Sequence, residues 1–459
     1  MPSFFLRMTE AQRFSLQAHL FPGDGKEAVA LLLCGRRNGS ERHVLMAREV
    51  VAVPHHLCRR TPDNVTWPTH VLDPLLTKAY GQGQAIVKVH SHPTGYERFS
   101  TIDDYSDRSV FASVWSLLDD ELPHASVVML PDGAMFGRMV GDGVIGDPFE
   151  SIMVVGDDIK VYGRAWGGGG QGFALRHAQA FGKGTIERLR SLSVVVVGCS
   201  GTGSIVVEQL ARLGVGRIVL IDPDFVEEKN LNRILNTGKE DAYLNRPKVQ
   251  ALASAIARMG LGTEVVPMVA NLDSTEAVLA VAECDVAFGC MDGVEGRHLL
   301  NRITTFYSIP YFDVGVRLDA DGHGGISGIA GAVNYLQPGG SSLLSRGLYT
   351  KEHLKAEEMR RTNPEMYERQ RKEGYLRGIV EDRPAVISVN MFYAALAVNE
   401  FLARIHPYRN NENYEYAHVA ANLSEMHFIL EPEEGDCELL KGFTGRGDME
   451  PLLRRQSLG

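Results

Sequence analysis

The first third of the chain alternates short apolar runs with polar segments. The apolar runs have the length of β-strands, and one further segment has a helical pattern. The strand-like runs are 28–34, 85–89 and 126–130, and the helical segment is 109–118. These patterns predict several strands and at least one helix in the N-terminal part of the chain.

From residue 193 onward the pattern changes to a regular alternation of strand and helix. The β-branched run 193–197 has the composition of a buried parallel strand. A helical pattern follows at 204–213, where Val206 and Leu210 share a face and Gly214 ends the helix. Strand patterns recur at 217–221, 265–269 and 286–290, and helical patterns at 248–259, at 296–307 and from residue 384. The alternation predicts a doubly wound α/β domain.

A glycine-rich segment separates the two patterns. Residues 163–172 read GRAWGGGGQG, and four consecutive glycines are difficult to order within a helix or strand. We therefore predict one domain at 1–150, a glycine-rich linker at 151–175 and a second domain at 176–459.

Composition narrows the classes of function. The 459 residues include 47 Lys and Arg against 57 Asp and Glu, which gives a formal net charge of −10 and argues against a nucleic-acid binder with a large basic face. The six cysteines include no C-x-x-C pair, which argues against a disulfide scaffold and a Cys-rich zinc ribbon. We find neither a signal peptide nor an apolar run of about 20 residues, so we expect a soluble, cytoplasmic protein.

Two histidines lie two residues apart in the segment 89–104, which reads VHSHPTGYERFSTIDD. Alternate residues of a strand project to the same side, so the imidazoles of His90 and His92 can bind one Zn²⁺. Asp103 can add a carboxylate oxygen. Three protein ligands leave the fourth position of a tetrahedral zinc for water, as in catalytic zinc sites, and the metal lowers the pKa of that water to about 7.

The complete pattern is H-S-H, seven residues, Ser100, two residues and Asp103. It resembles the JAMM motif of the JAB/MPN metalloprotease family, which includes deubiquitinating isopeptidases. The resemblance implies an α+β zinc-hydrolase domain in which Ser100 hydrogen-bonds the tetrahedral oxyanion and an upstream glutamate is the general base and acid. Glu27, which is followed by AVALLLCG, matches that family's glutamate motif in part, and Glu49 is the rival candidate.

A glycine-rich loop follows the strand at 193–197. It reads GCSGTGS, with Gly198, Gly201 and Gly203, and leads into a predicted helix. Glycine lets the backbone turn sharply and approach a phosphate, and the helix start presents unpaired N–H groups to the anion. Asp222 ends the next strand, where a carboxylate can accept hydrogen bonds from ribose hydroxyls. The loop therefore predicts a nucleotide site.

The order of these glycines, G-x-x-G-x-G, differs from that of dinucleotide dehydrogenases. The motifs that follow are LIDPDFVEEKNLNRI, RPKV and GCMDGVEGR. Together they resemble the ThiF/MoeB and ubiquitin-activating family of adenylyltransferases over residues 173–440. The resemblance implies a Rossmann-like fold, a homodimer and ATP-dependent adenylation of a protein's C-terminal carboxylate.

That resemblance also assigns residues to the nucleotide. The polar contacts are Asp222, Asp224, Asn230, Arg233, Lys248 and Asp292. Asp292 would hold Mg²⁺, and Arg233 and Lys248 would assist catalysis by neutralising the phosphates, since two anions must meet. Arg176 lies where family members carry an arginine that reaches the ATP of a neighbouring subunit.

The chain departs from this family at a structural zinc that many members hold with two C-x-x-C pairs. Ser342 and Ser345 occupy the first pair, and Cys437 and Leu440 the second. A serine hydroxyl is a poor zinc ligand, so we expect no structural zinc of the four-cysteine type. Cys437 is also the remaining candidate for a thioester-forming nucleophile. Without one, the activated carboxyl would pass to the thiol of another protein, such as a conjugating enzyme.

The combined motifs predict a bifunctional enzyme of ubiquitin-like protein metabolism. One domain would adenylate the C-terminus of a ubiquitin-like or sulfur-carrier protein, and the other would cleave an amide bond at or beyond that terminus. By analogy, such fusions resemble those in bacterial operons with ubiquitin-like components, some of which are linked to antiphage defence. Two alternatives remain open: sulfur-carrier activation for cofactor or cysteine biosynthesis, and a non-catalytic scaffold that binds ATP and a carrier.

Overall fold

The chain folds into two compact units. The computed structural model describes residues 2–118, 121–163, 175–321, 323, 325–372 and 386–455. Unit 1 comprises Met1–Ala165, Thr305–Ser308 and Phe443–Gly459, and unit 2 comprises Trp166–Thr304 and Ile309–Gly442. Among the helices of these described ranges, none is both long enough and apolar enough to cross a membrane.

Unit 1 is built on a nine-stranded mixed sheet in the order β11-β10-β1-β3-β2-β6-β7-β8-β9, with β4 and β5 paired separately. The strands are β1 (Ser3–Thr9), β2 (Val29–Asn38), β3 (Arg42–Ala52), β4 (Arg59–Thr61), β5 (Asn64–Thr66), β6 (Ala85–Ser91), β7 (His124–Met129), β8 (Met135–Val140), β9 (Ile145–Pro148), β10 (Ser151–Val155) and β11 (Ile159–Gly163). The helices are α1 (Glu10–Leu20), α2 (Asp73–Ala79) and α3 (Thr101–Leu118). The three predicted strand-like runs fall on β2, β6 and β7, and the predicted helix is the second half of α3.

The central strand β2 is apolar along most of its length because both of its faces are covered. Leu31 belongs to the core cluster that contains Phe111 of α3, whereas Leu32 belongs to the cluster that contains Leu16 of α1. Alternate residues of a strand project to opposite faces, so a strand between two helical layers needs apolar residues at every position. Because β6 pairs with the buried β2, this packing supports the end of β6.

The linker predicted at 151–175 begins too early. Ser151–Val155, which is β10, pairs in parallel with β1, and Ile159–Gly163 pairs with β10 in antiparallel fashion. Ile152 and Val154 are buried in the core of unit 1, which explains why this segment is a strand. The run of glycines at 167–170 lies outside the described residues.

The predicted second domain, 176–459, is also wrong at its C-terminal end, because residues from Phe443 onward belong to unit 1. Gly447 forms a parallel bridge with Arg36 of β2. A Cβ at Gly35 would lie 2.2 Å from the carbonyl oxygen of Gly445, so this close approach requires glycine. The segment has no periodic apolar pattern, and its long-range pairing left no signal in the sequence.

Unit 2 has an eight-stranded sheet in the order β14-β13-β12-β15-β16-β17-β18-β19, parallel from β14 to β16 and antiparallel beyond. The strands are β12 (Ser193–Val197), β13 (Arg217–Ile221), β14 (Glu264–Met268), β15 (Val286–Gly289), β16 (Tyr311–Ala320), β17 (Ile326–Leu336), β18 (His418–Asn422) and β19 (His427–Glu431). The helices are α4 (Leu175–Phe181), α5 (Lys183–Ser191), α6 (Gly201–Leu213), α7 (Lys239–Tyr243), α8 (Lys248–Met259), α9 (Thr275–Ala282), α10 (Val294–Phe306), α11 (Lys351–Thr362), α12 (Pro364–Lys372) and α13 (Ile387–Ile405). The predicted doubly wound α/β architecture is confirmed.

The strand order of unit 2 locates a crevice. From β12 the chain proceeds outward to β13 and β14, and it then returns to the other side of β12 as β15 and β16. In open parallel sheets, ligands bind outside the carboxyl ends of the strands where the order reverses. Here that position is the end of β12 and β15, where the glycine loop begins.

Removal of one carboxylate should test the contribution of the C-terminal segment to unit 1. Asp448 accepts hydrogen bonds from Arg37 Nη1 at 3.2 Å, from the Asn38 backbone N–H at 3.1 Å and from the Tyr307 hydroxyl at 2.8 Å. Because Asp448→Ala leaves these donors without their acceptor, we expect it to lower the free energy of unfolding of unit 1 by about 1–3 kcal/mol.

Chemical denaturation followed by circular dichroism would measure this loss. Asp147→Ala is the matched control, since Asp147 is an exposed carboxylate of the same unit and should change the free energy by no more than about 0.5 kcal/mol. Equal unfolding curves for the two variants would contradict the assignment of this segment to unit 1.

Candidate metal centre and nucleotide site

The predicted metal ligands of unit 1 lie together. His90 is on β6, His92 directly follows the strand, and Asp103 is in the first turn of α3. The two Nε2 atoms are 3.2 Å apart, and Asp103 Oδ1 is 2.9 Å from His90 Nε2. Ligand atoms of all three buried side chains lie within 4.8 Å of one another. The strand alternation proposed from the sequence therefore brings these side chains into one cluster.

The geometry of this cluster fits a tetrahedral zinc ion. With Zn–N bonds of about 2.0–2.1 Å, two nitrogen ligands of a tetrahedral site are separated by about 3.3 Å, close to the observed 3.2 Å between the two Nε2 atoms. His92 Nδ1 lies 2.7 Å from the carbonyl oxygen of Tyr96, a contact that places the proton on Nδ1 and leaves Nε2 free to bind a metal. Burial lowers the pKa of His90, which keeps this imidazole in the neutral, ligating form.

Glu27 lies beside the cluster, just before β2. Its Oε1 atom is 3.9 Å from His92 Nε2. Burial raises the pKa of Glu27 to about 7, against the opposing effect of His92. The rival, Glu49, is on β3 and pairs with Lys78 at 2.6 Å, with both side chains about half exposed. Of the two candidate bases, the structure brings only Glu27 to the metal cluster.

Ser100 caps α3 and orients Asp103. Its hydroxyl and its backbone N–H both donate to Asp103 Oδ2, each at 2.7 Å, and its Oγ accepts from the Asp103 backbone N–H at 3.1 Å. The hydroxyl thus holds the carboxylate in position. The role expected for Ser100 toward an oxyanion stays a prediction.

A buried ion-pair network behind the cluster was not found from the sequence. Asp107 of α3 is fully buried and pairs with Lys88 of β6 and with Arg138 of β8. Arg138 Nη1 also lies 2.6 Å from Asp104 Oδ1. These bonds connect α3 to two strands and so set the position of its first turn, which carries Asp103. Lys88 inside the apolar run of β6 was the available signal.

In unit 2, the glycine loop adopts the turn that its sequence predicts. Gly198 has φ +89°, and a Cβ there would lie 2.7 Å from the carbonyl oxygen of Cys290. A Cβ at Gly203 would lie 1.8 Å from the carbonyl oxygen of Gly198, so the first turn of α6 can pack on the loop only without a side chain. The N–H groups at the start of α6 remain available to an anion.

A cavity of about 760 Å³ opens at this loop. Its walls include the predicted residues Gly198, Gly201, Asp222, Asp224, Asn230, Arg233, Lys248 and Asp292. Gly203 supports the loop from behind. Arg176 is exposed on α4 and is absent from the described walls of this cavity. Eight of the ten nucleotide-contacting residues inferred from the resemblance therefore meet in one place.

Lys248 and two aspartates form the charged centre of the cavity. Lys248 Nζ is 2.7 Å from Asp224 Oδ2 and 3.9 Å from Asp222 Oδ1. Asp222 accepts the backbone N–H groups of Cys199 at 2.6 Å and Asp224 at 2.8 Å, which ties it to the glycine loop. Burial raises the pKa of Asp222, opposed by Lys248 and by these two hydrogen bonds.

Asn230 shapes the loop that carries Arg233. Asn230 is buried, and its Oδ1 accepts the Glu227 backbone N–H at 3.1 Å, which closes a short helical turn. Arg233 follows on that turn and donates to the carbonyl oxygen of Lys229 at 3.2 Å. Asp292, after β15, is exposed and also lines the cavity.

Two further cations on the cavity wall were missed. Arg297, at the end of the GCMDGVEGR motif, binds the fully buried Asp313 through Nε and Nη2. Asp313 also accepts the Tyr311 hydroxyl at 2.9 Å and Asn334 Nδ2 at 3.1 Å. Arg361 of α11 reaches the same cavity and pairs with Glu295 at 2.9 Å. Arg361 lies in a charge-rich segment that looks like an ordinary solvated helix.

The residues at the expected position of the structural zinc also meet in space. Ser342 Oγ is 3.1 Å from Cys437 Sγ and 3.4 Å from Ser345 Oγ. The Leu440 backbone N–H donates to the Cys437 carbonyl oxygen at 3.0 Å, and the Leu440 side chain is buried. Two hydroxyls, one thiol and an alkyl group do not form a zinc ligand set. Cys437 is 3% exposed, so its thiol is not accessible as a nucleophile in this conformation.

Comparison with known proteins assigns each unit to a domain type. Residues 174–439 match the model of the ThiF family, and residues 11–136 match the model of prokaryotic homologs of the JAB domain. The adenylyltransferase and sulfurtransferase MOCS3 of Danio rerio is 36% identical over 129 residues, which are 28% of this chain and 27% of that protein. The SAMP-activating enzyme E1 of Haloferax volcanii is 33% identical over 153 residues, which are 33% of this chain and 52% of that protein.

A further relative and a solved structure also match the chain only in part. The molybdopterin-synthase adenylyltransferase of Escherichia coli is 36% identical over 115 residues, which are 25% of this chain and 45% of that protein. The structure of E. coli MccB with ATP aligns at 18% identity and a TM-score of 0.44, over 59% of this chain and 74% of that chain. The chain thus spans between about a quarter and a half of the length of these curated relatives.

Restoring the missing thiolates should create a zinc site in unit 2. We expect the triple substitution S342C/S345C/L440C to bind one more zinc ion per chain than the parent, because it completes four cysteine ligands around a turn that is already formed. Elemental analysis of the purified protein would give the zinc content. The double substitution S342C/S345C, which leaves Leu440 in place, is the control and should hold less zinc at this site; no gain of zinc in the triple variant would contradict the geometry.

Proposed function

This chain belongs to the ThiF family, and we propose that its unit 2 uses ATP and Mg²⁺ to adenylate the C-terminal carboxylate of a ubiquitin-like or sulfur-carrier protein. The observation that carries this proposal is the single cavity that joins the glycine loop to Asp222, Arg233, Lys248 and Asp292. In the reaction, the carboxylate oxygen attacks the α-phosphorus of ATP, the bond to the bridging oxygen breaks, and pyrophosphate leaves.

The cavity residues provide the positive charge that this step requires. The reaction joins two anions and releases a third, so it needs fixed positive charge where negative charge concentrates. Lys248 and Arg233 supply that charge, and the N–H groups of the glycine loop and of α6 hold phosphate oxygens. Asp222 accepts the ribose hydroxyls. Bound Mg²⁺ would neutralise phosphate charge, and one carboxylate, that of Asp292, together with phosphate oxygens is a normal ligand set for this ion.

The sulfur-transfer alternative has specific support. Two of the relatives named above are described as acting in sulfur transfer or molybdopterin synthesis, and the thiol of Cys437 is buried. Sulfur transfer and conjugation both proceed through the same adenylate. They differ in the group that accepts the activated carboxyl. A thiocarboxylate on the carrier would favour sulfur transfer, whereas a lysine-linked product would favour conjugation. We further propose that the protein acts as a homodimer in which Arg176, exposed on α4, reaches the nucleotide of the second subunit.

We propose that unit 1 is a zinc-dependent peptidase that cleaves an amide bond at or beyond the C-terminus of the same carrier. His90, His92 and Asp103 would hold the zinc ion, which when bound supplies a water with a pKa of about 7 and polarises the carbonyl of the cleaved bond. The contact between Glu27 and His92 supports a role for Glu27 in accepting a proton from water and returning it to the leaving amine. Ser100 holds Asp103 and borders the same centre.

Loss of Lys248 or Asp292 should stop adenylation. We expect Lys248→Ala and Asp292→Ala to lower carrier-dependent ATP–pyrophosphate exchange by at least about 100-fold, because the first removes a cation that neutralises the phosphates and the second removes the carboxylate proposed to hold Mg²⁺. Cleavage by unit 1 should continue at the parent rate. Lys239→Ala is the matched control, since Lys239 is an exposed lysine of α7.

Normal exchange in the Lys248 and Asp292 variants would show that the cavity is not the adenylation site. Carrier-dependent exchange by the parent would also exclude the scaffold alternative, since a protein without turnover cannot return pyrophosphate to ATP.

A pair of glutamate variants should identify the general base of unit 1. We expect Glu27→Gln to reduce cleavage of a C-terminal amide of the carrier by about 10²- to 10⁴-fold, the range for loss of a general acid–base group, while zinc content stays at one ion in unit 1. Glu49→Gln removes the rival carboxylate and should retain the parent rate, because Glu49 pairs with Lys78 at the surface.

His92→Ala serves as the third variant of this series. It should lose both zinc and cleavage but keep pyrophosphate exchange. If Glu49→Gln were the inactive glutamate variant, the assignment of Glu27 would be overturned.

A further inference from the structure

A second cavity, of about 440 Å³, lies in unit 1 next to the metal cluster. Its volume falls in the range of about 300–1,000 Å³ that is usual for binding sites of small ligands. Most of its wall is apolar and comes from the loop before Ser100 and from β8, β9, β10 and β11. The principal apolar residues are Phe99, Met135, Phe136, Phe149, Ile152 and Tyr162. We call it the aromatic cavity.

The aromatic cavity and the metal cluster share two walls. The ring of Phe99 lies 6.3 Å from that of His90, and the ring of Phe136 lies 6.4 Å from that of His92. Phe99 and Phe136 also contact each other edge to face at 5.4 Å. One side of this aromatic pair therefore borders the ligating imidazoles, and the other side lines the cavity.

The loop that supplies Phe99 is attached to the metal cluster at both ends. At its start, the Tyr96 carbonyl oxygen is 2.7 Å from His92 Nδ1. At its end, Ser100 donates two hydrogen bonds to Asp103. A group that fills the cavity would therefore contact a loop whose two ends hydrogen-bond to two of the predicted metal ligands, His92 and Asp103.

Of the charged residues in the described wall, Glu97 and Arg98 are exposed to solvent, and the buried one, Arg138, is already compensated. The guanidinium of Arg138 stacks on the Phe99 ring, 3.7 Å from its centroid, and binds Asp104 and Asp107 through its nitrogens. With its charge satisfied, Arg138 contributes a flat surface to the cavity rather than a site for an anion. An apolar group can therefore enter without leaving the charge of Arg138 unpaired.

We propose that the aromatic cavity is a specificity pocket that binds a large apolar side chain, preferably aromatic, of the polypeptide cleaved at the metal centre. This inference rests on the peptidase function proposed for unit 1. The shared walls favour a substrate side chain close to the cleaved bond over an unrelated small molecule, and the aromatic rings around the cavity favour an aromatic group by edge and stacking contacts.

The first test compares substrates. Carrier fusions with Ala at each of three positions on both sides of the cleaved bond would be matched with fusions carrying Phe or Trp at one position at a time. We expect one position at which the aromatic residue raises kcat/KM by at least about 10-fold over Ala. Equal rates for the whole series would overturn the pocket while leaving the peptidase proposal intact.

The second test changes Tyr162 of β11, a wall residue outside the Phe99–Phe136 pair that borders the metal ligands. Tyr162→Ala should reduce the aromatic-to-Ala ratio of kcat/KM to about 3-fold or less, because it removes a ring that contacts the side chain. Tyr162→Phe keeps the ring and should therefore retain the parent ratio. Tyr80→Ala, which removes an exposed tyrosine of the same unit, should leave the ratio unchanged. A parent-like ratio in Tyr162→Ala would contradict the proposal.

The third test does not require cleavage. N-acetyl-tryptophan amide should bind the purified protein, as measured by NMR shifts of the probe, and its Kd should rise at least about 5-fold in Tyr162→Ala but not in Tyr80→Ala. Absence of probe binding by the parent would overturn the pocket. Probe binding together with no cleavage of any fusion would support the ligand class of the cavity and overturn the peptidase function, so the two failures are distinguishable.

Discussion

A buried charge must be compensated by a partner of opposite sign, and both candidate sites of this protein are organised by that requirement. In unit 1, Asp107 has no exposed surface and is held between Lys88 and Arg138. In unit 2, Asp313 has none either and is held by Arg297 at the wall of the nucleotide cavity. Breaking such a pair leaves a charge in a medium that cannot solvate it, so each pair keeps its helix in one position relative to the sheet.

This constraint links folding to chemistry. The first turn of α3 carries Asp103, and one helical turn later the same helix carries Asp107. The pairing of Asp107 with two strands therefore sets where Asp103 meets His90. In the other unit, Asp222 is fixed through backbone N–H groups, and Lys248 is the cation that faces it. In unit 1 the predicted metal ligand Asp103 and its structural anchor Asp107 are close in sequence, so a small segment carries both.

The sequence allowed much of the sites to be predicted, because their residues lie in local motifs. His90 and His92 follow from the two-residue period of a strand, and the glycine loop follows from the steric demand of a turn onto a helix. The contacts that the sequence did not reveal connect residues on different elements of the chain: Lys88 of β6 and Arg138 of β8 both pair with Asp107 of α3. β10, β11 and the segment from Phe443 also escaped prediction, because they join unit 1 through pairing that carries no local signature.

The turn at Ser342 and Cys437 shows how a fold can keep a shape without the ligands of a metal. Hydroxyl and thiol groups bond one another there, and Leu440 adds burial. Each such hydrogen bond contributes only about 0.5–1.5 kcal/mol, far less than a structural zinc can supply. The expected absence of a structural zinc therefore requires that the surrounding sheet and helices hold most of the turn.

The two proposed reactions are related through one carboxyl group. Cleavage releases a carboxylate, and adenylation consumes a carboxylate, so the product of the first centre is the substrate of the second.

An enzyme that did both would have to distinguish a carrier that still has an extension or a conjugate from one that has been trimmed. The side chains of the carrier's own tail are the same in both forms and cannot provide that distinction. The forms differ in the terminal carboxylate that cleavage creates and in the residues beyond the cleaved bond. A pocket beside the metal centre that accepts a large apolar side chain from beyond the bond would recognise a feature that disappears once cleavage has occurred. The trimmed carrier would then leave the hydrolytic centre readily, because the contact that retained it has gone with the released segment.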